Sequence, residues 1–149
     1  MNENLKLLRF YFWILGVFTI GRWGLSIGGA DYAKTHQVFS LVILSLIASA
    51  HHAAFARAFA GYNLKKAAGL GATIGVITQL VIFVSTGLSY MLGLETFFNA
   101  PVAIAGSTDP IAFGSAMAQR AVGLVINTIL NTIAAMIGYA MGGALPKRA

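Results

Sequence analysis

The chain has 149 residues and a formal net charge of +6, and 58% of its residues are hydrophobic while only 9% are charged. Because about a quarter of the residues in soluble domains are charged, this composition excludes a globular protein with a water-exposed surface. Cysteine is absent, which excludes disulfides and thiolate metal sites. The apolar stretches are long enough to cross a hydrocarbon layer of about 30 Å. The sequence therefore predicts an all-α, polytopic membrane protein with one domain over residues 1–149.

Four membrane-spanning helices are predicted from these apolar stretches, arranged as an up-down-up-down bundle. They cover residues 7–27, 36–60, 68–94 and 117–145, and residues 95–115 are predicted as an outer loop. The first stretch resembles a secretory signal, but Arg22 and Trp23 interrupt its apolar run. We therefore expect a first helix that is retained.

Small residues recur along the second and third predicted helices. Ala50, Ala54 and Ala58 follow one another at four-residue spacing, and Gly71 and Gly75 form a GxxxG pair. Small residues at this spacing let membrane helices approach closely. We therefore expect both helices to pack tightly against neighbours.

The outer loop contains the strongest helix-breaking signals of the chain. Pro101 and the pair Asp109-Pro110 are turn or breaker residues, and the apolar run 102–105 between them is too short to span. We expect an interfacial loop packed over the mouth of the bundle. A re-entrant pore loop is the alternative.

The fourth predicted helix carries a stripe of polar and small residues on one face. The stripe comprises Arg120, Asn127, Asn131, Gly138 and Gly142, spaced by seven, four, seven and four residues. This spacing keeps all of them on one side of an α-helix. A membrane helix with such a stripe is expected to pack against a partner, here the third helix. The expected contacts are those of Gly71, Gly75 and Gln79 with Asn131 and Gly138.

The basic residues are unevenly distributed between the two predicted sides of the membrane. One side carries Lys6, Arg9, Arg57, Lys65, Lys66, Lys147 and Arg148, whereas Arg22, Lys34 and Arg120 share the other side with Asp31, Glu95 and Asp109. The positive-inside rule makes the first side cytoplasmic, with both termini inside and a bacterial inner (plasma) membrane as the expected location. The motif 146–148 (Pro-Lys-Arg) is expected to end the fourth helix. Lipid headgroups account for the basic patch, and no nucleic acid is expected as a partner.

Three amides form the strongest candidate site within the membrane. Gln79 and Asn131 both lie near mid-membrane, so their side chains could hydrogen-bond directly. Together with Asn127 they either hold two helices together or line a path for water or a solute. In the second interpretation, Thr128 and Thr132 add to the lining.

Two arginines lie near the outer ends of the first and fourth helices. Ion pairs of Arg22 and Arg120 with the acidic residues of the outer connections are the simplest expectation. Snorkelling of the guanidinium groups to lipid headgroups would serve equally well. An anion-selective mouth is the third interpretation.

All three histidines lie on the second helix, which argues against a metal or a haem. His36 is about 22 Å along the helix from His51, and His51 and His52 point about 100° apart. A haem would need a ligand from another subunit, or a methionine such as Met136. We predict no cofactor and no metal, and keep His51 and His52 as candidates for a cofactor or proton site. His52 is expected to face the bundle and to be hydrogen-bonded.

The sequence contains no pattern typical of an enzyme. It has no nucleophile and base at convincing spacing, no carboxylate pair and no phosphate-binding loop after a strand. No Asp or Glu lies within the apolar segments, which disfavours a proton- or sodium-coupled carrier.

Three functional hypotheses follow from these patterns. The first is a non-catalytic accessory or scaffolding subunit of a larger membrane assembly, or a self-associating bundle. The second is an oligomeric channel or facilitator for a small solute or ion. The third is a haem- or quinone-associated electron-transfer subunit. The expected partners are the lipid bilayer and either other membrane subunits or further copies of the chain.

Overall fold

In a computed structural model, which describes residues 3–144, the chain is helical and contains no strand within that range. The helices are α1 (Glu3–Leu7), α2 (Arg9–Ile27), α3 (Tyr32–Thr35), α4 (Leu41–Ala60), α5 (Leu64–Met91), α6 (Pro101–Ala105) and α7 (Phe113–Gly142). Four of them, α2, α4, α5 and α7, are long and apolar enough to span a membrane. The prediction of a multi-pass membrane protein with four spanning helices is therefore confirmed.

The second spanning helix begins five residues later than predicted, at Leu41. Ser40 caps α4 by accepting a hydrogen bond from the backbone N–H of Ile43 at 3.4 Å. Phe39 just before it adopts a left-handed backbone with φ of 51°. Its ring fills the space over Gly21 of α2, where a Cβ atom would lie 2.7 Å from the ring. The segment preceding α4 therefore folds back on α2 instead of continuing the helix.

The third and fourth spanning helices both begin about one turn earlier than predicted. Asn63 caps α5, because its side-chain oxygen accepts a hydrogen bond from the N–H of Lys66 at 2.9 Å. Helix α7 begins at Phe113, shortly after Pro110, and ends at Gly142. The predicted end at Leu145 and the stop motif 146–148, with Lys147 and Arg148, lie outside the described residues.

Helix α7 packs in the crevice between α4 and α5, and glycines allow the close approach to α5. A Cβ atom at Gly71 would lie 2.5 Å from Asn131 O, and one at Gly75 would lie 2.9 Å from Thr128 Cα. These distances are shorter than any normal Cβ contact, so only glycine fits at both positions. The predicted contact of this GxxxG pair with Asn131 is confirmed.

The stripe on α7 also meets α4, which the sequence did not indicate. Gly138 lies against the backbone of Ala50, and Gly142 lies against Ala54, with no room for a Cβ atom at either glycine. The nearest neighbour of Gly138 is thus α4, whereas the prediction named the third helix. The stripe faces the crevice between two helices, so its members divide between α4 and α5.

Arg57 fastens the C-terminal ends of α4 and α7 together. Its Nη1 donates hydrogen bonds to the carbonyl oxygens of Tyr139, at 2.7 Å, and Ala140, at 3.2 Å. The guanidinium carbon lies 4.4 Å from the centre of the Tyr139 ring. A cation at a helix C-terminus also interacts favourably with the helix dipole.

Helix α2 lies at the periphery of the bundle. Tyr11 and Leu15 are buried, and the Tyr11 hydroxyl hydrogen-bonds with the Thr78 hydroxyl of α5. On its other side, Gly16 and Gly24 have no atom of the described chain near a built Cβ. This side of α2 is therefore open to lipid or to another helix.

Candidate functional site

The amides near the middle of the bundle make different contacts from those predicted. Ser49 Oγ of α4 donates a hydrogen bond to Asn131 Oδ1 at 2.7 Å, and Asn131 Nδ2 donates to the carbonyl oxygen of Asn127 at 2.8 Å. Asn131 is fully buried. The hydrogen bond considered between Gln79 and Asn131 is not formed: Asn131 bonds with Ser49 and with its own helix, and Gln79 Nε2 has no partner.

Two polar groups beside Asn131 remain without hydrogen-bond partners. Gln79 is 3% exposed, and its Nε2 has no partner; Thr128 Oγ1 is likewise buried and unpartnered. Asn127 and Thr132 donate to carbonyl oxygens of their own helix, at 3.0 and 2.8 Å. The predicted polar stripe is thus packed between helices, and its role as a packing surface or as a lining stays a prediction.

The histidines lie at three different places on and before α4. His51 is exposed, and His52 is half-buried with its Nδ1 2.8 Å from the carbonyl oxygen of Ala48. The His52 ring lies edge-on to Tyr11, with the ring centres 6.2 Å apart. His36 lies before α4, in the segment that follows α3. Within residues 3–144, no three His, Asp or Glu side chains are arranged to hold a metal ion.

A cavity of about 180 Å³ lies beside the N-terminal end of α4 and contains both arginines predicted for the outer side. We call it the arginine pocket. It is lined by Arg22, Tyr32, His36, Ser40, Leu41, Val42, Ile43, Ile82, Phe97, Phe98, Ala103 and Arg120. Six of the seven helices and the connection after α5 contribute to its wall, so the pocket exists only in the assembled bundle.

Arg22 reaches the pocket from α2 and is almost completely enclosed, with 9% of its surface exposed. Its Nη1 donates a hydrogen bond to the carbonyl oxygen of His36 at 3.2 Å. The guanidinium carbon lies 5.5 to 5.8 Å from the ring centres of Tyr32, Phe97 and Phe98. Aromatic faces attract a cation electrostatically, so these three rings stabilise the buried charge without neutralising it.

Arg120 enters the pocket from α7 and holds the outer loop in place. Its Nη2 donates to the carbonyl oxygen of Phe98 at 2.7 Å, and its Nε donates to Thr86 Oγ1 at 3.1 Å. Thr86 in turn donates to the Phe98 carbonyl oxygen at 3.0 Å. The loop therefore lies against the end of the bundle, with Phe97 and Phe98 buried beneath it.

The ion pairs predicted for the two arginines are not formed. Among the described residues, the ion pair found is between Lys34 and Asp31, at 3.8 Å and largely exposed. Glu95 and Asp109 are exposed and contribute nothing to the wall of the arginine pocket. Carbonyl oxygens and aromatic rings occupy the positions around the arginines that carboxylates were expected to fill. The pocket wall thus carries two cations and no anion.

The N-terminal end of α4 adds to the positive potential of the pocket. Leu41 and Val42 are the first residues of the helix, and both line the cavity. The first N–H groups of a helix have no partner within it, and the helix dipole places about half a positive charge there. Two guanidinium groups and a helix N-terminus therefore converge on one cavity, an arrangement suited to binding an anion.

Part of this pocket was not predicted from the sequence. Arg22 and Arg120 were assigned correctly to the same end of the bundle, but the contributions of Phe97, Phe98 and the N-terminus of α4 were missed. The adjacent Phe97-Phe98 pair in a loop otherwise rich in breakers was the available signal, since exposed loops rarely carry two neighbouring aromatics.

No protein-family model, no curated protein and no solved structure matches this chain. Its function is therefore inferred from the pocket and from the packing of its helices.

Proposed function

We propose that this protein is a non-catalytic membrane protein that binds a small anionic group in the arginine pocket. The observation that carries the proposal is the convergence of Arg22 and Arg120 on one cavity whose wall has no carboxylate. An uncompensated buried charge is costly, by several kcal/mol for an isolated ion. A bound anion would offset this cost, and each charge-assisted hydrogen bond to a guanidinium group is stronger than a neutral one.

In the same proposal, the four spanning helices run up-down-up-down in a bacterial inner membrane, with both termini in the cytoplasm. Two sets of contacts support this arrangement. Gly71 and Gly75 meet α7 residues in the reverse order of the sequence, whereas Gly138 and Gly142 meet Ala50 and Ala54 in the same order. The connection with Lys65 and Lys66 would then face the cytoplasm and the arginine pocket the outer side, in accordance with the positive-inside rule.

The test is the stability of the purified protein as a function of anion concentration. At constant ionic strength, replacement of chloride by sulfate or phosphate should raise the midpoint of thermal unfolding, because a ligand that binds only the folded state stabilises it. We expect the Arg22→Gln variant to bind sulfate or phosphate about tenfold more weakly, which corresponds to the loss of one charge-assisted hydrogen bond.

Arg9→Gln is the matched control, because Arg9 is exposed at the opposite end of α2 and its removal changes the net charge by the same amount. Arg120→Lys tests the second arginine while keeping the charge that holds the loop. An equal anion dependence in wild type and in Arg22→Gln would contradict the proposal.

The accessory-subunit hypothesis is the second candidate and is favoured by the open side of α2. Gly16 and Gly24 leave a shallow surface beside the exposed side chains of Trp13, Val17 and Ile20. Such a surface suits the close packing of a further membrane helix. Gentle extraction followed by mass measurement of the complex tests this hypothesis: other chains should co-purify, and a lone monomer would count against it.

The channel and electron-transfer hypotheses receive less support from the geometry. Asn131 is engaged by Ser49 and lies against Gly75, so the stripe leaves little room for a path within one chain. His52 lies against the Tyr11 ring and His51 is exposed. A haem would still need a ligand from a second subunit or a methionine such as Met136.

A further inference from the structure

Part of the wall of the arginine pocket is apolar. Leu41, Val42, Ile43 and Ile82 form this apolar wall, and Ile43 is 43% exposed on the outside of the bundle. A free inorganic anion has no apolar surface to bury against these side chains. A ligand with an apolar chain would gain binding energy by burying that chain against them.

The exposed edge of this wall lies at the depth where lipid headgroups meet acyl chains. Helix α4 has 20 residues and is therefore about 30 Å long, which matches the thickness of the hydrocarbon core. Ile43 is in its first turn, so it lies close to the boundary of the hydrocarbon. A chain that leaves the pocket past Ile43 would enter the bilayer directly.

The pocket is large enough for a lipid headgroup but too small for a whole lipid. A cavity of about 180 Å³ is smaller than the sites of about 300 Å³ or more that enclose drug-sized ligands. It can hold a phosphate group and its linker, but acyl chains would have to lie outside. The exposed Ile43 marks where they would leave.

The charge of the pocket favours one class of phosphate. Arg22 and Arg120 provide two positive charges, and the N-terminus of α4 adds a partial one. A phosphate diester has a single negative charge and would leave one guanidinium uncompensated. A phosphate monoester has a charge of about −1.5 to −2 at neutral pH and three acceptor oxygens. It can therefore compensate both arginines.

We propose that the anion bound in the arginine pocket is the phosphate monoester headgroup of a membrane lipid, whose apolar chain passes Ile43 into the bilayer. This inference rests on the proposed function, because it names the ligand of the same pocket. The phosphate contacts Arg22, Arg120 and the first N–H groups of α4, and the lipid makes no covalent bond and undergoes no reaction.

The experiment compares lipids of different headgroup charge on the purified protein. Nanodiscs are prepared with phosphatidylcholine and about one-tenth phosphatidic acid, a monoester, or phosphatidylglycerol, a diester. The protein is released into the gas phase, and its retained lipids are identified by native mass spectrometry. Phosphatidic acid should be retained about tenfold more often than phosphatidylglycerol, since the second charge adds one charge-assisted contact.

Soluble phosphates distinguish a lipid from a water-borne ligand. Glycerol 3-phosphate and inorganic phosphate have the monoester or free phosphate but no chain, and their effect on thermal unfolding is measured beside that of phosphatidic acid. If they stabilise the protein as strongly as the lipid does at equal concentration, the chain contributes nothing and the lipid inference is overturned.

Substitutions in and outside the arginine pocket test whether the retained lipid is bound there. Arg22→Gln should abolish the preference for phosphatidic acid, whereas Arg9→Gln should keep it. Ile43→Trp, which narrows the exit for the chain, should lower retention, whereas Val125→Trp, at an exposed position of α7, should not. A preference that survives both Arg22→Gln and Ile43→Trp would overturn the inference.

The outcomes separate this inference from the proposed function. Equal retention of the monoester and the diester, lost in Arg22→Gln, would contradict the monoester assignment and leave anion binding intact. No dependence on any anionic lipid or soluble anion would contradict both.

Discussion

The middle of the bundle and the end that carries the arginine pocket both enclose polar side chains, but the chain surrounds these groups differently. In the middle, Ser49 and Asn131 hydrogen-bond with each other, and Asn131 also bonds with its own helix. In the arginine pocket, Arg22 and Arg120 are held by rings and carbonyl oxygens and have no carboxylate partner. Ser49 and Asn131 find their hydrogen-bond partners within the chain, whereas the charges of Arg22 and Arg120 are not compensated by a carboxylate.

This difference separates polar residues whose hydrogen bonds are made between helices from charged residues whose charge no side chain of the pocket compensates. An interhelical hydrogen bond in a membrane contributes about 0.6 kcal/mol on average, and Asn131 makes one with Ser49 that involves no charged group. A buried guanidinium has five N–H donors and a full charge, which carbonyl oxygens compensate only in part. The depth of a polar residue in the membrane therefore says less about a candidate binding site than the presence or absence of partners for it within the chain.

The largest effect is expected from Gly138→Val, which tests whether the middle depends on close packing. The new side chain would collide with the backbone of Ala50 on α4, and a backbone cannot move aside as a side chain can. Overpacking costs about 1–3 kcal/mol and occasionally more, so we expect a destabilisation at the top of this range or a loss of folded protein. Reversible unfolding in mixed micelles measures it.

Gly16→Val is the control for this substitution. The same side chain is introduced on α2, where a built Cβ meets no atom of the described chain. Its effect should stay within about 0.5 kcal/mol. An equal loss in both variants would show that the close contact between α4 and α7 is not what stabilises the middle of the bundle.

A smaller effect is expected from the pair Ser49→Ala and Asn131→Leu. Each variant removes one partner of the hydrogen bond between α4 and α7, and Asn131→Leu also removes the bond with the carbonyl oxygen of Asn127. A double-mutant cycle should give a coupling free energy of about 0.6 kcal/mol and below about 2. Zero coupling would mean that the amide does not join the two helices.

The smallest effect, and one of opposite sign, is expected from Gln79→Leu. Gln79 Nε2 is buried without a partner, so replacing the amide by an apolar side chain of similar size removes an unsatisfied donor. An unsatisfied buried donor costs about 1–3 kcal/mol, and the variant should be as stable as wild type or more stable by up to about 1 kcal/mol. Destabilisation in an unfolding titration would instead reveal a partner, such as a buried water.

The positions of the spanning helices could be predicted closely because apolar length is a property of the sequence alone. The starts of α4 and α5 could not. They depend on the capping side chains of Ser40 and Asn63, and polar caps do not appear in an apolar-length prediction. At α4, Phe39 also leaves the helical backbone and places its ring over Gly21, a contact between two helical segments that hydropathy does not report.

The two arginines of the candidate site could be predicted from the sequence, but the groups that contact them could not. The charge pattern assigned Arg22 and Arg120 to one end of the bundle, and the structure brings them to one pocket. The same pattern suggested carboxylate partners, because acidic residues are frequent in the nearby loops. The Phe98 carbonyl oxygen takes that position instead, and every residue has a carbonyl oxygen, so the sequence contains no signal for this contact.

The packing of α7 in the crevice between α4 and α5 has a consequence for biosynthesis. Ribosomes deliver the chain from its N-terminus, so α2, α4 and α5 enter the membrane before α7 is made. Until α7 follows, Gly71 and Gly75 face an empty crevice, and Arg22 lacks the second arginine of its pocket. The arginine pocket is therefore completed in a single late step of insertion, and a nascent chain that stalls before α7 would have a pocket with one of its two arginines.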